Sequence, residues 1–162
     1  MANVDGVTRS TELTATRDVI HDIIISNISD PLTDQQARES TDHWIFDGFP
    51  NEARLGKPAP NGWKFPIMEI PYPTPSAENK TVDGSKQQIT HRVVIECHAR
   101  SRRQANQLAQ EIKYILDVTG QADLRKAALH GPDLISSPDD TSFIGGNKYY
   151  TKSLELEFMR FD

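Results

Sequence analysis

Residues Ile89 to Asp117 change hydrophobic period from two to 3.6 at one sharp point, and few folds accommodate such a run. Val93, Ile95, Cys97 and Ala99 alternate with Arg92, Val94, Glu96 and His98, the pattern of a strand with one core face and one mixed face. Ser101 and Gln104 then have the S-x-x-Q spacing of a capping box, in which hydroxyl and amide each satisfy a backbone N–H of the first helical turn. Beyond them Ala105, Leu108, Ala109, Ile112, Ile115 and Leu116 recur at spacings of three and four, while Arg102, Arg103, Asn106, Gln107, Gln110 and Lys113 take the other faces. A strand feeding a helix whose apolar stripe lies on a sheet is the expectation.

The 162 residues fit one domain, with 1–10 as a flexible arm and 11–162 as a single unit. Helical spacing of Leu13, Ile20, Ile23, Ile24 and Ile28 predicts a helix from Ser10 or Thr11 that Asp30-Pro31 stops, and Leu32 to Ser40 forms a loop or short helix. Long loops are expected at 31–62 and 71–88, the first enclosing a short extended piece near Trp44, the second turning at Asp83-Gly84. Between them Lys64 to Ile70 reads as a strand, and Pro66, which has no N–H for a ladder, makes it an edge strand or marks its start. A short helix over Ala122 to Leu129, a strand from Leu134 to Ile144 broken at Ser137 to Asp140, a turn at Gly145-Gly146-Asn147 and a last strand from Lys148 to Phe161 complete the chain. In that last strand Tyr150, Leu154, Leu156 and Phe158 share one face, and Ser153, Glu155 and Glu157 the other.

The formal charge of −5 argues against a protein whose task is gripping nucleic-acid phosphates. MANVDGVTRSTEL has no apolar core of the signal-peptide kind, and no run approaches the roughly 18 apolar residues of a membrane helix. The single cysteine, Cys97, falls in a core strand and reads as an inert apolar side chain.

Catalytic chemistry finds no motif. No serine stands in a G-x-S-x-G elbow, and Gly56-Lys57-Pro58 lacks the hydroxyl residue of a phosphate loop. His91 and Cys97 lie on one strand face but about 20 Å apart, and Cys97 and His98 point to opposite faces, so no metal site, no cofactor and no enzyme are expected. Arg100, Arg102 and Arg103 cluster at a helix N-terminus, the wrong end for cations; they read either as a surface for an acidic partner or as a solvated loop. Trp44, Phe46, Phe49, Trp63 and Tyr72 put much aromatic surface into a loop-rich region, as a subunit or partner interface or as a satellite core.

The order of elements, with Phe65-Pro66-Ile67-Met68-Glu69-Ile70 after an N-terminal helix and then HRVVIECHARSRRQANQLAQEIKYIL and a late alternating strand, resembles the tail terminator (tail completion, minor tail or neck) proteins of tailed double-stranded DNA viruses over residues 11 to 161. The resemblance implies an α+β fold, a mixed, largely antiparallel sheet with a long helix and an N-terminal helix packed on one face. It also implies a virion protein, assembled in the host cytoplasm, that forms a homo-oligomeric ring, a hexamer. The ring would bind the tail-tube protein on one side and the head–tail connector or neck protein on the other. DNA passes through its channel without specific binding, past an acidic wall that includes Glu155 and Glu157. The alternatives are a head–tail adaptor or non-viral peptide- or protein-binding module, and third a small enzyme of unknown substrate.

Overall fold

A computed structural model describes residues 3–4, 7–8, 11–29, 31, 44–49, 65–79, 87–144 and 147–161. Within the expected arm, β1 (Asn3–Val4) pairs antiparallel with β2 (Val7–Thr8). The fold is α+β. Helix α1 (Thr11–Asn27) precedes β3 (Ile45–Phe46), β4 (Ile67–Glu69), β5 (Thr74–Asn79) and β6 (Gln87–Ala99). Helices α2 (Arg102–Tyr114) and α3 (Gln121–Lys126) follow, then β7 (His130–Ser136), β8 (Asp139–Ile144) and β9 (Asn147–Phe161).

The two longest strands carry the sheet. β6 and β9 pair antiparallel in unbroken register from Gln88↔Phe161 to Ala99↔Tyr150. On the outer side of β6, β4 and β5 run end to end, β4 against Ile67↔His98 to Glu69↔Glu96 and β5 against Thr74↔Arg92 to Asn79↔Gln87. On the outer side of β9, β7 and β8 do the same, and Ser153 N–H bonds Pro138 O at 3.0 Å across the break between them. Among the described strands only β3, beside β4, is parallel to its neighbour.

Three differences from the sequence reading have local causes. β4 starts after Pro66, as that residue requires, but β3 flanks it, so it is not the edge. β5 lies inside the expected 71–88 loop, because TPSAEN has no apolar alternation and is drawn into a strand by pairing with β6. β7 starts at His130 rather than Leu134, with Gly131 at φ +127 and an irregularity between His130 and Asp133. A Cβ at Gly131 would sit 2.7 Å from Glu157 O, so glycine is required there for space as well as conformation. Leu32 to Ser40, Trp63, Asp83-Gly84 and Gly145-Gly146 lie outside the described residues.

One face of the sheet takes both long helices. Ile20, Ile23 and Ile24 of α1, with Leu108 and Ile112 of α2 and Ile115 and Leu116 of its extension, share a core with Val93, Ile95 and Cys97 of β6 and Leu154, Leu156 and Phe158 of β9. Each large side chain there contributes about 1.5 to 3 kcal/mol, more than the tenths available from surface propensity. Ser101 Oγ accepts from Gln104 N–H at 3.1 Å, the cap expected from the sequence. At its other end α2 widens into a π-turn over Ile115–Thr119 and closes at Gly120, whose added Cβ would meet Ile23 Cγ2 at 2.4 Å. Arg17 fixes α1 to the sheet by donating from Nε to Ile70 O at 2.8 Å.

Leu116→Ala should cost about 2 to 5 kcal/mol through the cavity it leaves, and Ser101→Ala about 1 kcal/mol through loss of the cap. Urea unfolding of both variants checks the order; equal losses would mean that packing on the sheet does not dominate.

Candidate functional site

The face of the sheet turned away from the described helices carries a cluster of titratable groups. Register places Glu69 of β4 directly opposite Glu96 of β6, with Ser153 of β9 opposite Glu96 on the other side. Two residues along the same face, Ile67, His98 and Thr151 form the next row. One ligand atom each from Glu69, Glu96 and His98 lie within 4.8 Å of one another.

The histidine is held on every side. Its side chain is 4% exposed. His98 Nδ1 lies 2.7 Å from Thr151 Oγ1, and Nε2 hydrogen-bonds the Glu69 carboxylate and lies 3.7 Å from Glu96 Oε2. Phe49 and Tyr149 meet the imidazole edge to face at centroid distances of 5.2 and 5.6 Å. Behind them Phe46, Phe65, Ile67 and Tyr149 make a second, smaller apolar cluster. The polar cluster therefore has an apolar wall on one side and opens to solvent at Glu96, whose side chain is 38% exposed.

The two carboxyls are driven apart. Burial pushes Glu69 up, but hydrogen bonds from His98 and Glu96 and the attraction of the imidazole outweigh it, leaving its pKa lowered. Burial, then the hydrogen bond and the charge of Glu69, raise Glu96, and His98 and Ser153 only partly offset them. Glu96 thus holds a proton more readily than Glu69, the pattern of two carboxyls sharing one site. An imidazole nitrogen and two carboxylate oxygens can bind a divalent cation or relay a proton; sequence reading alone, which compared His91 with Cys97, missed this set. The available signal was the same-face pair in Glu96-Cys97-His98, completed by an acidic residue on the neighbouring strand.

The residues singled out from sequence are dispersed over the fold. Trp44 is 1% exposed and lies in the main core, and Phe46 belongs to the second cluster. Phe49 is half exposed against His98, and exposed Tyr72 has the Arg17 guanidinium over its ring at 5.5 Å. Arg100, Arg102 and Arg103 are exposed at the corner between β6 and α2, where Arg102 and Lys148 both lie over the Tyr150 ring, at 5.6 and 5.1 Å. Glu155 and Glu157 are half-buried on the face opposite the described helices and both engage Arg92, at 3.6 and 3.1 Å. Cys97 points into the core, and burial pushes its thiol far up, so no thiolate is available.

Opposite pH effects follow for the two carboxyls, each with an ordinary value of 4.5. The lowered pKa of Glu69 means that its carboxylate stabilises the fold above pH 4.5, and that this is lost as pH falls through the folded value. The raised pKa of Glu96 means that its ionisation costs stability, a cost absent below pH 4.5 and complete once pH has risen through the folded value. Thermal melts in chelator should therefore show Glu96→Gln more stable than wild type, and Glu69→Gln less stable, at pH 7.5. Both differences should shrink toward pH 4; a Glu96→Gln variant destabilised at pH 7.5 would contradict the assignment.

A scan against protein-family models finds no match, and comparison with curated proteins finds no relative.

Proposed function

We propose that this chain is a virion structural subunit that assembles edge to edge into a closed, hexameric ring, terminating a viral tail tube and joining it to the head–tail connector. The observation that carries this reading is the pair of unlike outer edges. On one side β7 and β8 lie end to end with no further described strand beside them, and on the other β5 is in the same position. A strand edge is a template for another chain, and contact between two different edges of identical subunits generates rings when the rotation closes.

The β7–β8 edge also carries apolar side chains that a monomer would leave wet. Leu134 and Ile135 are each 43% exposed and Phe143 is 67% exposed. Phe143 pairs across to Lys148, so this edge runs into the basic corner of Arg100, Arg102 and Arg103. An acidic patch on a neighbouring subunit or on a neck protein fits that corner by charge. The sheet face bearing Glu155 and Glu157 is assigned to the channel, with Arg92 neutralising part of its charge.

The same free edge would accept an extended peptide, which is the second reading. Mass photometry of the purified protein, alone and with tail-tube protein, separates the two. A ring is expected in at least one condition, and Phe143→Glu together with Leu134→Glu should shift it to monomer while circular dichroism stays native. A wild-type chain that remains monomeric in both conditions overturns the ring.

For the channel, Glu155→Lys with Glu157→Lys would place cations beside Arg92 and let them hold phosphates. DNA ejection from assembled particles should slow at low salt and recover as salt rises. Ejection that is unchanged at every salt concentration removes Glu155 and Glu157 from the channel wall.

A further inference from the structure

We propose that Glu69, Glu96 and His98 form an intrasubunit binding site for a divalent first-row transition-metal ion, with Zn2+ as the representative ligand. Two carboxylate oxygens and one imidazole nitrogen are the donors, and all three come from the paired strands β4 and β6. Donors on paired strands are held more firmly than donors on loops.

Four features point beyond an ordinary surface cluster. First, the three donor atoms already lie within 4.8 Å of one another, and a tetrahedral ion with bonds of about 2.1 Å needs them about 3.4 Å apart. Glu96 Oε2, 3.7 Å from Nε2, is already near that spacing, and Glu69, hydrogen-bonded directly to Nε2, would draw back to it as the ion takes the place of the shared proton. Second, His98 has the outer partner that metal-binding histidines use. Nδ1 lies 2.7 Å from Thr151 Oγ1, which can take an Nδ1–H when a cation replaces the proton now shared between Nε2 and Glu69. Third, the apolar wall of Phe49 and Tyr149 keeps the ring in this orientation and lowers the local dielectric, which strengthens attraction to a cation. Fourth, two carboxyl groups meet at one imidazole, and a divalent ion offsets their paired negative charge more fully than a single shared proton does.

The donor set selects the class of ion. Mg2+ and Ca2+ prefer all-oxygen shells, whereas an imidazole in a mixed nitrogen and oxygen set suits Zn2+ and its first-row neighbours. Three protein donors leave a position for water, toward the solvent-open side at Glu96. Nothing in this site depends on ring assembly, since every donor belongs to one chain.

Isothermal titration of the chelator-stripped full-length protein with Zn2+, beside thermal melts and the visible spectrum of the Co2+ form, tests the site. One Zn2+ per chain is expected, with a rise in Tm, and Co2+ absorption in the range of low-coordinate nitrogen and oxygen sites. His98→Gln and Glu69→Gln should abolish the stoichiometric binding, and Thr151→Val, which keeps the shape, should weaken it by about 10- to 100-fold. Excess Mg2+ should not displace the bound ion. Three results overturn the site: no stoichiometric binding by the folded wild-type chain, binding that survives unchanged in His98→Gln, or displacement by equimolar Mg2+. The first would leave the triad as a proton-sharing cluster only.

Discussion

The register between β6 and β9 is the constraint on which everything else in this chain depends. From Gln88↔Phe161 to Ala99↔Tyr150 it decides which side chains meet the helices and which face away. A slip of one residue would send Cys97, Ile95 and Val93 to the wet face and drive His98 and Glu96 into the apolar core. Burying those polar groups unpaired would cost several kcal/mol, so the slipped pairing is strongly disfavoured. The outer strands inherit this decision, because β4 and β5 read their positions from β6, and β7 and β8 read theirs from β9.

The two faces solve different problems. The helix-bearing face is sealed by apolar side chains from α1, α2 and four strands, and its cohesion is the ordinary consequence of removing apolar area from water. The opposite face is mixed. A small aromatic cluster supports a charged triad at one end, and Arg92 bridges two carboxylates further along. The triad's contributions to stability oppose one another, ionised Glu69 favouring the fold and ionised Glu96 disfavouring it. Its three ligand atoms are close enough to share one proton, and the same closeness is what the proposed metal site rests on.

What could be read from the sequence was whatever has a period. The switch after Ala99, the Ser101 cap, the α1 stripe and the alternation of the last strand all depend on neighbours within a few residues, and each is present. β5 was hidden because its TPSAEN sequence earns its conformation only from β6. The triad was hidden for a related reason: Glu69 and Glu96 are remote in the chain, and only the antiparallel register sets them side by side. Trp44 illustrates the reverse, an aromatic residue in a loop-rich stretch that the β3–β4 pairing draws into the main core.

Both outer tracks of the sheet contain a proline. Pro75 lies in β5 opposite His91, and Pro132 lies in the irregular part of β7 between His130 and Asp133. Each removes one N–H from a strand that would otherwise offer a complete ladder. Proline in an outer strand is a general brake on open-ended edge pairing, and Pro75 and Pro132 put one on each flank of the described sheet.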